Sequence, residues 1–233
     1  MRVHFLGHSS FWLEFKDTNV LIDPCIHCAS YGQYDRLIPS PITKEQLPKI
    51  SLILITHEHE DHFDKQTVAF LANRDGACVV AHDSVLSELP IPARCKRAVS
   101  TDSEINIRGV HVSVETAHHP QAFYPMAYVV TGDGVSVFHA GDSDLIEEFS
   151  PDFTANIALL PIGGNITMDI VDAVKATKVL KPDVVIPMHF NTFGICLASA
   201  DEFAKKIEKS NLKTKAIVME PNGMYEFVHP LKL

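Results

Sequence analysis

The sequence predicts a layered α/β domain, with stacked sheets covered by helices, and three observations lead there. Short β-branched apolar runs crowd the first quarter of the chain. Strand-like and helix-like patterns then alternate toward the C-terminus, the order expected when helices cover sheets. Apolar residues make up 46% of 233 residues, enough for a sizeable core in one domain over residues 1–233.

Val3–Leu6, Phe11–Phe15 and Val20–Ile22 read as short strands, with a turn at Lys16–Asn19. Asp23 to Lys49 is polar and Pro-bearing, the pattern of a long surface loop of the kind that often forms a lid or rim. Leu52–Ile55 is a buried strand, and Lys65–Asn73 follows with helical spacing of Val68, Phe70 and Leu71. Cys78–Ala81 is another buried strand, after which Asp83 is placed to cap a short helix. Ile105–Glu115 and Ala127–Phe138 are strand-rich, with a hairpin turn at Thr131–Gly134. Ile157–Leu160 is a strand, and Thr167 is placed to cap a helix that runs to Leu180 and stops at Pro182. Val184–Ile186, the helix Ala198–Lys209, Ala216–Met219 and Tyr225–Val228 complete the order.

The net charge is −9 with no run of like charges. This argues against nucleic acid as a partner, which needs clustered Lys and Arg. A small anionic substrate stays open, because bound cations reverse the local field. No apolar stretch is long enough to span a bilayer, and the start of the chain lacks a signal-peptide core. Five cysteines, an odd number, complete an expectation of a cytoplasmic protein with reduced thiols.

Histidine is the unusual count, at 13. His57, His59, Asp61 and His62 follow the Leu52–Ile55 strand directly. Imidazole and carboxylate suit zinc, manganese or iron. In extended backbone, residues two apart share a side, so His57 and His59 can converge on one metal. If the chain then turns into a helix, Asp61 and His62 can face a second. The bland alternative is a solvated acidic loop with chance histidines, which four such residues within six at a strand end disfavour. Three further strand-like segments end in similar residues: Val112–Glu115 before His118 and His119, Ser136–Phe138 before Asp142, and Val184–Ile186 before His189. Each alone reads equally well as a structural loop residue. Together they point to one edge of a sheet, where α/β folds place their sites.

The segment Thr56–His62, with His118–His119, Gly141–Asp142 and His189 in order behind it, resembles the signature of the metallo-β-lactamase superfamily. Leu6–Phe11, Leu21–Pro24, Pro161–Met168 and Ile186–Phe193 resemble a narrower branch of metal-dependent hydrolases related to L-ascorbate-6-phosphate lactonase. The resemblance covers nearly the whole chain. It implies a four-layer αββα sandwich and two divalent metal ions, zinc first, with manganese or iron as alternatives. One ion would take His57, His59 and the third histidine, the other Asp61, His62 and His189, with Asp142 bridging. Matching Thr116–His118 to the superfamily's turn selects His119 over His118. It further implies hydrolysis of an ester-type bond in a small molecule, a phosphoester or a lactone, by a hydroxide held between the ions. Asp61 orients that water or passes on its proton. The superfamily often forms oligomers, so a homo-oligomer is also expected.

Other residues carry two readings. His8 either faces the metals, with a catalytic role beside Asp61, or makes a structural hydrogen bond. Asp23 reads as the partner that orients a ligand histidine. Gly163–Gly164 either lets backbone approach the site or forms a plain turn. Cys25–Cys28 departs from the branch and reads as a loop variant, since one Cys pair cannot complete a zinc site. His4, His82, His111 and His229 read as structural and His139 as core, while Phe123, Phe149 and Phe153 read as core or rim. Two rivals to hydrolysis are a di-iron redox protein, which the resemblance disfavours because that variant has Glu at the place of His59, and a non-catalytic metal-binding protein.

Overall fold

The computed structural model describes residues 1–145 and 152–228. In chain order the strands are β1 (Arg2–Gly7), β2 (Ser10–Glu14), β3 (Asn19–Ile22), β4 (Ser30–Tyr31), β5 (Tyr34–Asp35) and β6 (Leu52–Leu54). Next come α1 (Lys65–Asp75), β7 (Cys78–Ala81), α2 (Asp83–Ser87), β8 (Lys96–Ala98), β9 (Glu104–Ile107), β10 (Val110–Thr116), β11 (Met126–Gly132) and β12 (Val135–His139). The rest are β13 (Ile157–Pro161), α3 (Ile170–Leu180), β14 (Val184–Met188), α4 (Ala200–Glu208), β15 (Lys215–Ala216) and β16 (Met224–Glu226).

Two mixed seven-stranded sheets result, ordered β16-β1-β2-β3-β6-β7-β8 and β15-β14-β13-β12-β11-β10-β9. They pack face to face, and period-two side-chain alternation explains how the middle strands serve two cores at once. On β3 and β6, Val20, Ile22, Leu52 and Leu54 join the core between the sheets, while Leu21 and Ile53 point outward. That outer face is covered by Val68 and Leu71 of α1 and by Val85 and Leu86 of α2. The second sheet carries α3 and α4, which contribute Ala173, Ala176, Phe203 and Ile207 to its core. The chain is thus the expected four-layer αββα sandwich. Leu54 is fully buried between the sheets, so Leu54→Ala is expected to cost about 2–5 kcal/mol.

Several boundaries correct the sequence reading. Asp83 is not the cap of α2. His82 is, its ring accepting from Ser84 N. Asp169, not Thr167, caps α3 and accepts from both Val171 N and Asp172 N. A carboxylate at that position satisfies two orphan amides at once, which one hydroxyl does less well. The stretch after Asp23 holds the β4–β5 hairpin and an isolated bridge between Arg36 and Phe193. β8 had no strand-like signal because two of its three residues are exposed. The strand expected at Ala216–Met219 is Lys215–Ala216. His229 and Phe149 lie outside the described residues.

The site-bearing strands share one direction. β1, β3 and β6 are related by antiparallel β1–β2–β3 and parallel β3–β6 pairing. In the second sheet β10, β12, β13 and β14 run together. Their C-terminal ends therefore meet along one edge of the sandwich.

Candidate metal centre

Every residue singled out as a ligand leaves a strand at that edge: His57, His59, Asp61 and His62 after β6, His119 after β10, Asp142 after β12 and His189 directly after β14. His8 and Asp23 follow β1 and β3 immediately. His189 N donates to His8 O at 2.9 Å and Met126 N to Thr56 O at 3.0 Å, tying the two sheets together beside the site. His8, Asp23 and His189 all hold positive φ, at 57°, 45° and 54°. A side chain in that conformation costs about 1–2 kcal/mol, and such strain gathers at functional sites. Gly141 shares it (φ 58°), and a Cβ there would lie 2.8 Å from Met126 O. At Gly163 a Cβ would sit 2.3 Å from His189 O. Of the two readings of Gly163, close approach of backbone to the site is the one found.

The ligand atoms fall into three groups, each with its atoms within 4.8 Å of one another: His57, His59 and His119; His8, Asp61, His62 and His189; and His57, His62 and Asp142. The third takes one histidine from each of the others, which places Asp142 between the two sets. Asp142 reaches the second set again through His189 Nε2, 3.0 Å from Oδ2. His119 is buried in the cluster, whereas His118 is exposed and belongs to none of the three groups.

Hydrogen bonds settle which ring nitrogen each histidine presents. His62 Nδ1 donates to Asp23 Oδ2 at 2.8 Å. Thr56 Oγ1 donates to the same oxygen at 2.6 Å and accepts from His57 Nδ1 at 2.9 Å. One buried carboxylate therefore orients a histidine of each set, directly and through a hydroxyl. His119 Nδ1 donates to Ile166 O at 3.1 Å, and His59 Nε2 to Gln121 O at 3.3 Å. What remains facing inward is Nε2 of His57, His62 and His119, and Nδ1 of His59, with His119 Nε2 and His59 Nδ1 3.3 Å apart. Ligating imidazoles are held this way, with the far N–H tied to an oxygen. The role of Thr56 escaped sequence reading, although a hydroxyl residue directly before the first ligand was its one available signal.

Among the described residues, buried atoms with no hydrogen-bond partner concentrate here: His57 Nε2, His62 Nε2, Asp61 Oδ1, both oxygens of Asp142 and both ring nitrogens of His189. Unpaired buried polar atoms are costly and rare, and a divalent cation is what this donor set fits.

The protein's own electrostatics match. Burial pushes His57 well below its ordinary value and His119 downward, so both rings are neutral. Burial also opposes charge on His62, but Asp142 and Asp61 outweigh it and push that ring up to about 10. His189 rises well above its ordinary value against burial, again because of Asp142. Burial likewise opposes charge on Asp142 and Asp61, yet neighbouring histidines hold both well below the usual carboxylate range. Without a cation the carboxylates keep protons on the second set, and a cation would displace them.

His8 Nε2 lies 3.0 Å from Asp61 Oδ2, the oxygen that also lies 3.7 Å from His189 Nε2, while Oδ1 is buried with no hydrogen-bond partner. Four other histidines among the described residues do structural work. His4 stacks on Trp12 and bonds Glu14, and His139 bonds Ser9 O and Gly141 N. His82 caps α2, and His111 lies 3.9 Å from Glu104. Phe153 packs on Phe138, while Phe123 is a rim residue at 74% exposure. Cys25 and Cys28 are joined as a disulfide, correcting the expectation that all thiols are reduced. Cys78, Cys95 and Cys196 are free and buried.

A family profile described as "Beta-lactamase superfamily domain" matches residues 2–189. The chain belongs to the metallo-β-lactamase superfamily. Within it the chain is 33% identical to a UPF0173 metal-dependent hydrolase of Staphylothermus marinus over 97% of its own length and 98% of the relative's. Similarity at 32% to a protein of the same name from Aeropyrum pernix, over 97% of each chain, agrees. The solved structure of Igni18, a metallo hydrolase from the hyperthermophilic archaeon Ignicoccus hospitalis, superposes with a TM-score of 0.82 at 31% identity, covering 97% of this chain and 99% of that one. The protein is thus a UPF0173-type metal-dependent hydrolase of this superfamily, and its His/Asp cluster is where metal can be held. No helix among the described residues is long and apolar enough to cross a membrane.

Proposed function

We propose that the protein hydrolyses an ester-type bond, a phosphoester or a lactone, in a small molecule, using two divalent cations, zinc first, held by His57, His59 and His119 on one side and Asp61, His62 and His189 on the other, with Asp142 between. The observation that carries this reading is the set of inward-facing donor atoms, most of them buried without a hydrogen-bond partner, divided by a shared carboxylate. Such a cation pair supplies Lewis acidity, lowering the pKa of water and polarising the substrate oxygen. The chain's residues do the rest. Asp61, whose buried Oδ1 has no hydrogen-bond partner, can orient the attacking water and accept its proton. His8 donates to Oδ2 and so fixes the carboxylate. Asp23 and Thr56 hold His62 and His57 in the required tautomers. The strand-end loops screen the reacting atoms from bulk water, strengthening these interactions.

Kinship with the L-ascorbate-6-phosphate lactonase branch belongs to the same reading and favours a phosphorylated or lactone substrate met in the cytoplasm. The net charge of −9 speaks against a nucleic acid. The test is a panel of phosphoesters and lactones assayed with metal-loaded and chelated protein. Turnover should vanish on chelation and return with zinc or manganese. Full activity in metal-free protein overturns the reading, and iron with reversible redox behaviour would favour a redox role instead.

A further inference from the structure

The segment after Asp23 folds back over the metal centre, and it is built to hold its position. Arg36 Nη1 donates to Cys25 O at 2.6 Å and Cys28 O at 3.4 Å, and Arg36 N to Ala29 O at 2.9 Å. The Cys25–Cys28 disulfide closes the same turn. Leu37 N donates to Thr192 O at 2.8 Å, and Arg36 bridges Phe193, so the segment is stitched to the loop that follows His189. Between these anchors stands the β4–β5 hairpin, and on it Tyr31.

The Tyr31 ring lies 6.0 Å from that of His59 and 6.1 Å from that of Phe193, centre to centre. Phe193 in turn meets His8 edge-on at 5.2 Å. Tyr31 therefore spans the mouth of the cluster, one flank on a ligand of the first set and the other on the wall beside the second. It is half-buried, and among the described residues its phenol donates to no protein group. A phenol keeps its proton at neutral pH, so this one stands ready as a donor.

We propose that Tyr31 is a substrate-binding and catalytic residue whose hydroxyl donates a hydrogen bond to the substrate oxygen that gains negative charge as the bond is broken. The role rests on the hydrolytic reading above and adds a donor that the ligand motif does not contain. A protonated donor held in place before the reaction stabilises developing charge without reorganising. The disulfide, Arg36 and Phe193 fix that donor's position.

Inorganic phosphate, an oxyanion, tests this without a known substrate. Zinc content and phosphate affinity are measured for the wild type, Tyr31→Phe and, as a control on the same hairpin, Tyr34→Phe. Tyr31→Phe should keep its zinc and bind phosphate about tenfold to a hundredfold more weakly, the worth of a hydrogen bond to a charged group, and Tyr34→Phe should match the wild type. Equal phosphate affinity in wild type and Tyr31→Phe overturns the role, as does loss of zinc from Tyr31→Phe, which would make the residue structural. Zinc-loaded wild type that takes up no phosphate at tens of millimolar overturns it as well. Wild type that binds no zinc instead refutes the metal reading beneath it.

Discussion

The two halves of the metal centre are built from similar residues and behave differently. His57, His59 and His119 form an open set. His57 and His119 are neutral rings, His59 is partly exposed, and two of the set's outer hydrogen bonds go to loop carbonyls at Gln121 and Ile166. Asp61, His62 and His189 form a closed set, fully buried, carrying a carboxylate of its own and backed by His8. The contrast teaches that ligand type alone does not fix the strength of a site. Asp142 and a carboxylate of its own, Asp61, keep the closed set charged against its burial, whereas the open set has no carboxylate of its own.

The largest expected effect breaks both halves at once. Asp142→Ala removes the group they share, and activity should fall at least about a thousandfold, the several kcal/mol a bound cation pair contributes. Elemental analysis of that variant should show both ions depleted. Retention of a full complement would mean the sets are independent.

Next in size is Asp23→Asn, which disturbs one histidine of each set. Metal affinity should drop about tenfold to a hundredfold, as for other partners of ligating histidines. Thr56→Val, which reaches only His57, should weaken the open set alone. Equal weakening of both sets would contradict the relay.

Graded chelation sharpens the same contrast. The open set should release its ion at lower chelator concentration, leaving a one-ion intermediate visible by elemental analysis. Simultaneous loss would remove the distinction.

pH separates the halves too. His57 and His119 are neutral in the metal-free protein, so near neutral pH the open set should bind with little proton release. His62, raised from 6.5 to about 10, must shed its proton, so affinity at the closed set should fall as pH falls and binding should acidify a weak buffer. The sign reverses for stability. A folded pKa above the unfolded one stabilises fully below about 6.5, and that contribution is lost as pH rises through about 10. Thermal melts of chelated protein should therefore decline across that window, and melts that stay flat would argue against a charged His62. The smallest effect is expected at the rim. Cys25→Ser with Cys28→Ser should leave metal content intact and lower Tm by about 2–4 °C, equivalent to about 1 kcal/mol in a chain of this size.

Much of this was legible in the sequence, for physical reasons that differ by element. Buried strands such as Leu52–Leu54 and Cys78–Ala81 stood out because both their faces are covered, which requires unbroken apolar runs. The ligand blocks stood out because metal chemistry permits few residue types. His119 was separable from His118 only by its match to a family turn, and its burial beside His57 and His59 places it in the cluster. The exposed strand β8 and the β4–β5 hairpin left no pattern, being short and half-exposed. The positions of Thr56 and Tyr31 depend on contacts between distant segments, to which local periodicity is blind.

The donor atoms come from both sheets, His57 to His62 from one and His119, Asp142 and His189 from the other. Neither sheet can assemble the centre unaided, so the metal acts as a clasp whose halves close only when the sandwich does. Each ion at a hundred times its dissociation constant would then add about 2.7 kcal/mol to the folded state. Metal supply would govern how long the molecule survives as well as whether it turns over substrate, and protease resistance would follow metal occupancy.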